Sequence, residues 1–485
     1  METNEQAQRE RYQEVERTLV KLVEEIEEIE DGDLKELEQK IYKGVLEVGR
    51  QLFQCRINKG GEKAPGKQMG ECGHEQHLVD YRAKQILTLL GKVEFKRAYY
   101  QCQKEKEEKE EDQKLCCHGR SPADKVWGID QRRTTPGVQE YISYLCARLT
   151  FEEAAETFSR LLPLSISARQ AQSLMEPVGR ALAEREEKVL KALFEHATQK
   201  QSSVEEQKEL LTPKSIDRLY IEMDGIMERL RRGTVEMEVS EEKRKGEIYR
   251  EVKVGAIFQA ERGRERSELA PEVWVDTAKE GSMRYVARRT AKGDFDQFLY
   301  GLARQSGLEQ AKQIVILGDG APWIWKLASE HFPGAVQIVD LYHAQEHVWQ
   351  VARAVYGQQT EAVAVWAKHA CDLLVHGRIE ELVASIAALP SIAPEPGESR
   401  SVPAKASDYF TTNAERMRYP AFRAQGMHVG SGIAEAACKG VVATRLKRSG
   451  MRWTPDGLDA LLPLRTCVLN QTYDDFWEGQ LRLVA

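Results

Sequence analysis

Between residues 14 and 30 the apolar positions Leu19, Leu22, Val23, Ile26 and Ile29 recur at spacings of three and four, which predicts an amphipathic helix punctuated by Asp31, Gly32 and Asp33. A second periodic segment, "LKELEQKIYKGVLEVGRQLFQ", runs to about residue 54, so the chain opens as a helical hairpin. From Gly60 to Lys67 the composition turns rich in Gly, Lys and Pro, and "ECGHEQH", the strand-like "KVEFKRAYYQC" and "KLCCHGRSP" follow as a small module marked by Cys and His. Helices resume at about Gly137, with a helix-turn-helix pattern at 151–185 broken between Pro163 and Ser167; the polar stretch 198–214 reads as a linker. Beyond it "DRLYIEMDG", "REVKVGAIFQAE" and "PEVWVDTAK" are β-rich, a helix is expected near 295–312, and "QIVILGDG" and "AVQIVDLYH" are two more strands. Residues 344–390 are helical throughout, 391–406 form a Pro/Ser-rich loop, and one more helix begins after "HVGSG". Strands in a row, then alternating with helices, predict an α/β domain built on a mixed sheet.

Composition narrows this picture in three ways. At 485 residues, the chain is long enough for three or four folding units. Its 41% hydrophobic and 30% charged residues are those of a globular protein, with no run approaching the roughly 18 to 20 apolar residues that span a bilayer. The N-terminus is too polar for a secretory signal, so the expected location is cytoplasmic, with no membrane partner. The formal charge of −7 decides nothing about nucleic acid, because phosphate binding depends on local clusters of Lys and Arg. Nine cysteines without an export signal indicate free thiols or metal ligands.

Two of the four Asp-Gly pairs end apolar strand runs, "LYIEMDG" at Asp224 and "IVILGDG" at Asp319. Asp-Gly is first a hairpin-turn signal, but here apolar residues follow, Ile226 in one case and Ala321 to Trp325 in the other. Strand ends of open α/β sheets hold carboxylates rigidly at a cleft. Two carboxylates in one site require a divalent metal or a raised pKa. Glu435, inside an otherwise small and apolar helix, is the best candidate for a third oxygen ligand. Glu222 shares the sheet face of Asp224; an addition to the site is one reading, and a surface carboxylate is the favoured one.

The set "YIEMDG", "VILGDGAPWIW", "DLYHAQEH" and "GSGIAEAACKGVVATRLKRSGMRW" resembles, in order and spacing, the DDE transposases of bacterial insertion sequences, in the Kra-type group related to Mutator-like transposases. The resemblance covers most of the chain. It implies a ribonuclease-H-like catalytic domain with a helical insertion, preceded by helical DNA-binding and Cys/His-containing regions. It implies Asp224, Asp319 and Glu435 as the catalytic triad holding two Mg²⁺ (or Mn²⁺) ions, with Asp340 and His343 as the supporting Asp-x-x-His pair. The implied reaction is metal-dependent cleavage at the element's ends followed by transfer of the 3′-hydroxyl into target DNA. The implied partners are double-stranded DNA, as terminal repeats and target, and further copies in a homodimer or larger synaptic complex at the nucleoid. The domains expected are a helical region at 1–58, a zinc-ribbon-like Cys/His module at 59–130, a helix-turn-helix-like DNA-binding domain at 131–212, the catalytic domain at 213–343 and 426–485, and the insertion at 344–425. A ribonuclease-H-like nuclease without strand transfer and a non-catalytic DNA-binding protein derived from a transposase are the competing readings.

Lys439, Arg445, Lys447, Arg448 and Arg452 form a basic run without an acid, and Arg445, Arg448 and Arg452 are spaced to share a helix face toward DNA. Arg169 and Gln170, on the second helix of the helix-turn-helix, carry side chains able to read base edges. The family's ribbon has two Cys-x-x-Cys pairs, but Met69 and Glu105 stand where the partners of Cys72 and Cys102 are expected. Cys116, Cys117 and His118, with His74 or His77, are the residues able to complete a tetrahedral zinc site with Cys72 and Cys102; a metal-free remnant is the alternative.

Overall fold

The computed structural model describes residues 2–29, 33–61, 66–70, 73–102, 119–129, 133–200, 215–231, 248–267, 270–289, 294–358, 360–430, 432–448 and 450–484. The chain divides into two units, Met1–Met175 with Trp477–Ala485, and Glu176–Phe476.

The first unit begins with the helices α1 (Glu2–Glu27) and α2 (Leu34–Gly61), which pair antiparallel. Leu22 lies against Gly44, where any side chain would collide with it, and Glu25 pairs with Lys40 at 2.7 Å. The short strand β1 (Gln68–Met69), the long hairpin β2 (Glu75–Thr88) and β3 (Gly91–Cys102), and β4 (Gly119–Arg120) make a four-stranded sheet in sequence order. Ile57, Ile86, Val93, Phe95 and Ile129 form its small core. Asp124, buried in α3 (Pro122–Val126), is neutralised by Lys84 at 3.1 Å and Arg97 at 2.8 Å. The helices α4 (Pro136–Arg148) and α5 (Phe151–Leu161) follow, then α6 (Ala168–Lys200), which carries the boundary between the units. Thr150 and Glu153 close a reciprocal capping box at the start of α5.

The second unit is mixed α/β. Its sheet contains β5 (Ile216–Leu230), β6 (Ile248–Ser267), β7 (Ala270–Ala278) and β8 (Arg284–Arg289), then β9 (Ala311–Gly318) after helix α7 (Phe295–Gln305), and β10 (Val336–Val339) after α8 (Pro322–His331). The order is β10-β9-β5-β6-β7, with β8 also on β6. β10, β9 and β5 run parallel, as strands joined by crossover helices do, and the remaining pairings are antiparallel. The sheet curls because β6 serves β5 and β8 along one part of its length and β7 along the other. The helices α9 (Leu341–Tyr356), α10 (Glu361–Val375), α11 (Ile379–Ala387), α12 (Val402–Thr412) and α13 (Tyr419–Ala424) follow β10, and their apolar faces join the same core as the sheet. The chain then returns over β5 as α14 (Gly432–Ala437), a π-helical segment at Cys438–Ala443 and the last turn α15 (Thr444–Leu446), before α16 (Pro455–Leu469) and α17 (Tyr473–Val484). Among the described residues, no helix is long and apolar enough to cross a membrane.

Candidate active site

β5 and β9 are hydrogen-bonded in parallel, with Met223 opposite Gly318. Asp319 is the first residue past the end of β9, but Asp224 does not end its strand as expected: β5 continues to Leu230, with Asp224 opposite Val254 of β6, because β6 goes on pairing with it. The two aspartates therefore sit on neighbouring parallel strands, which lie about 4.8 Å apart. Burial is the main cause that pushes the Asp224 carboxyl above the usual aspartate range, and the charge of Asp319 adds to it. The Cys438 thiol and the Gly225 N–H, at 2.7 Å, donate to Asp224 and oppose the shift. On Asp319, one carboxylate oxygen accepts the Ala321 N–H at 2.8 Å, and the main-chain carbonyl accepts the Tyr409 hydroxyl at 2.8 Å.

The glycines flanking Asp319 are there for close approach. Gly320 has φ of +99°, and a Cβ on it would lie 2.5 Å from the Tyr409 ring. A Cβ on Gly318 would lie 2.6 Å from Ile324, the buried residue through which α8 folds back on the sheet. Trp325 belongs to the core, and Trp323 sits edge-on to Phe295 with the Lys253 ammonium 4.2 Å from its ring centre.

Asp340 and His343 stand beside this pair in different roles. Asp340 is buried and caps α9, accepting the His343 N–H at 2.8 Å, while its own N–H donates to the Gly318 carbonyl at 2.8 Å. The half-buried His343 imidazole is near enough for its charge to favour ionised Asp224. Its ring meets His347 edge-on, and His347 lies 4.2 Å from the Tyr409 ring, centre to centre. Burial pushes His347 down to about 4, with the His343 charge contributing, so it is neutral at physiological pH. A cleft of about 580 Å³ opens beside His347 and Tyr409, lined also by Gln350, Arg353 and Lys405.

Glu222 is fully buried, which corrects the expectation of a surface carboxylate. β5 is an interior strand, and α14 covers the face on which Glu222 and Asp224 project. One Glu222 oxygen accepts the Ala434 N–H at 2.6 Å, and burial pushes the carboxyl up to about 8.

Glu435 does not join the two aspartates. Ala434, Ala437, Cys438 and Val441 take the face of the helix turned to the sheet, and Glu435, one residue past Ala434, stands on its rim. Its carboxylate is 65% exposed and paired with Lys439 at 2.6 Å. Among the described residues, no three His, Cys, Asp or Glu come together as a metal-binding group. Cys438, one turn on from Glu435, is the side chain that reaches Asp224. Cys438, Tyr409 and His347 went unread in the sequence because nothing local marks them; each is brought in by tertiary packing.

The basic run also divides. Arg445 is fully buried, its guanidinium 5.3 Å from the Trp453 ring centre, so it is unavailable to DNA. The expected face of Arg445, Arg448 and Arg452 is not formed, because regular helix stops at Leu446 and the chain turns through Gly450 at φ +78°. Lys439, Lys447 and Arg452 are exposed and Arg448 is half-buried, its Nε donating to the Thr444 carbonyl at 3.0 Å. Arg169 is exposed on the first turn of α6. Gln170, however, is engaged as a cap: its side-chain oxygen accepts the Ser167 N–H at 2.8 Å, and its N–H donates to the Ser167 hydroxyl at 3.2 Å. Of the zinc candidates, Cys72, Cys116, Cys117 and His118 lie outside the described residues, while Cys102 is buried and accepts a hydrogen bond from Gln76 at 3.3 Å.

No curated protein matches the sequence. The profile of one family, described as the uncharacterised protein family UPF0236, matches residues 29–474. With nearly its whole length matched, the chain belongs to that family.

Proposed function

We propose that this protein is a DDE transposase with a ribonuclease-H-like catalytic domain, in which Asp224, Asp319 and Glu435 hold divalent metal at a DNA phosphodiester. The observation that carries the reading is the placement of Asp224 and Asp319 on adjacent parallel strands, near enough for the Asp319 charge to add to the burial that makes Asp224 resist ionisation. A divalent cation held by these carboxylates would offset both the burial and the mutual repulsion, and an all-oxygen donor set suits Mg²⁺ or Mn²⁺. When bound, two such ions supply an activated water or 3′-hydroxyl and stabilise the leaving oxygen.

The protein's own groups prepare that site. Gly225 and Ala321 N–H groups orient the two carboxylates, and Tyr409 braces the Asp319 main chain. Glu435 would complete the set if its carboxylate turned from Lys439 toward the two aspartates. Side chains three apart on a helix lie about 5–6 Å from each other, so a carboxylate next to Cys438 needs a change of rotamer and not of fold. Lys439, released, joins Lys447, Arg448 and Arg452 as phosphate contacts, and Arg169 is left as the exposed reader on α6. The partners are the element's terminal repeats, the target duplex and further copies of the chain in a synaptic complex.

A non-catalytic DNA-binding role is favoured by one observation, the Glu435–Lys439 ion pair, which leaves the third ligand turned away. The test is incubation of the purified protein with duplexes carrying the sequences that flank its gene, in Mg²⁺ or EDTA. Mg²⁺-dependent nicks at the ends and joined products are expected, both lost in a folded Asp319→Asn variant. Cleavage without joining would assign a nuclease, and DNA binding without cleavage would assign the non-catalytic role.

A further inference from the structure

The α1–α2 hairpin buries one apolar stripe and exposes another. Val15 and Leu22 of α1 are buried, with Leu22 against Gly44 of α2. Leu19, Val23, Leu34, Ile41, Val45 and Leu52 are between 40% and 76% exposed. They are not scattered. Leu34, Ile41, Val45 and Leu52 follow each other at seven, four and seven residues, which at about 100° per residue puts them within about 40° of one another on α2. Tyr12, Leu19 and Val23 repeat the seven and four on α1. This is the spacing of helices that pack side by side in bundles.

Both stripes lie on one face of the hairpin. Leu19 and Val23 are three residues before and one after the contact residue Leu22, and Ile41 and Val45 are three before and one after the contact residue Gly44. Equal offsets on two antiparallel right-handed helices turn the same way out of the plane of the pair. The result is a continuous two-helix apolar face.

Charge selects what covers it. Between Tyr12 and Glu27 α1 carries five acids against two bases, and α2 six bases against three acids. Two copies of the hairpin can stack face to face about a twofold axis across the helices, which sets α1 on α1 and acid on acid. An axis parallel to the helices instead sets each acidic α1 on the partner's basic α2, twice over, as a closed isologous interface requires. That axis keeps every residue at its own height, so Val23 meets Val45 of the partner subunit.

We propose that the chain dimerises through this face into an antiparallel four-helix bundle, each α1 lying against the α2 of a second copy. This does not depend on the catalytic reading.

The test is sedimentation equilibrium of the full-length chain, free of DNA, with circular dichroism to confirm unchanged helix content. Wild type is expected at twice the chain mass. Val23→Glu/Val45→Glu, which sets acid against acid across the interface, is expected to raise the dimer dissociation constant on the order of 100-fold or more. Val23→Lys/Val45→Glu, which sets Lys against Glu at the same two contacts, is expected to recover most of that loss. A monomeric wild type, or a doubly acidic variant that still dimerises, would overturn the interface. Failure of the Lys/Glu variant to recover while the doubly acidic one dissociates would overturn the α1-on-α2 pairing.

Discussion

Asp224 lies within β5 and Asp319 just past the end of its parallel neighbour β9, whereas Glu435 lies on a helix whose winding changes at Cys438 and the basic run continues beyond that helix's end. In the sheet, position follows from the ladder. Once Met223 is opposite Gly318, the residues that follow are neighbours across the two strands, and the alternation of side chains along β5 fixes the face on which Asp224 projects. Along the helix, position depends on every intervening turn. The π-helical segment Cys438–Ala443 and the stop at Leu446 defeat an extrapolation by threes and fours: Glu435 ends on the rim, Arg445 inside, and Arg448 and Arg452 on no common face. Sites on paired strands can be read from sequence with more security than sites along an irregular helix.

The predictions bear on this contrast. The largest effect is expected at the sheet: Asp319→Asn should lower cleavage by on the order of 1,000-fold, since metal-assisted charge stabilisation is worth several kcal/mol. Glu435→Gln should approach that loss if its carboxylate swings in, and a near-normal rate would leave the helix out of the chemistry.

A smaller effect is expected where the irregular helix is braced. The buried Arg465 guanidinium donates to the Gly440 and Val441 carbonyls, and to the Thr444 hydroxyl at 3.1 Å, thereby serving main-chain groups in the widened segment. Arg465→Met should cost about 3 kcal/mol in urea unfolding, the scale of losing hydrogen bonds to a buried charge. A loss below about 1 kcal/mol would mean the winding is held by other contacts.

Per pH unit, the smallest expected effect concerns Glu228, buried on β5 with its carboxyl pushed up to about 7 by burial, against a lowering influence from Lys447. Its folded-state value lies above the unfolded one of about 4.3, so the folded protein retains a proton that the unfolded chain has released. Stability should therefore fall as pH rises from about 4 to about 7, by at most about 1.4 kcal/mol per unit. Glu228→Gln should remove that slope, so its melting temperature should gain on wild type between pH 5 and pH 8. A constant difference would place this carboxylate in water.

The coarse α/β order, the end of β9 before Asp319 and the return helix after "HVGSG" were legible, because apolar runs and the helical period are local signals. Asp224-Gly225 was misread as a strand end, because the long β6 goes on pairing with β5 as far as Leu230. Glu222 was misread because burial on an interior strand depends on what covers it, and α14 arrives from more than 200 residues away. The role of Gln170 was available locally and missed. Ser167 followed three residues later by Gln170 is a capping-box pattern, and it outweighed the appeal of a polar side chain on a recognition helix.

The central claim is that Asp224 and Asp319 hold a divalent cation together and that Glu435 can turn in to join them. Electron paramagnetic resonance of Mn²⁺ titrated into the full-length chain tests this without requiring the DNA substrate. The account predicts saturable binding to wild type, weakened at least about tenfold in Asp319→Asn and also reduced in Glu435→Gln. Equal Mn²⁺ binding by wild type and Asp319→Asn, or none by either, would contradict it.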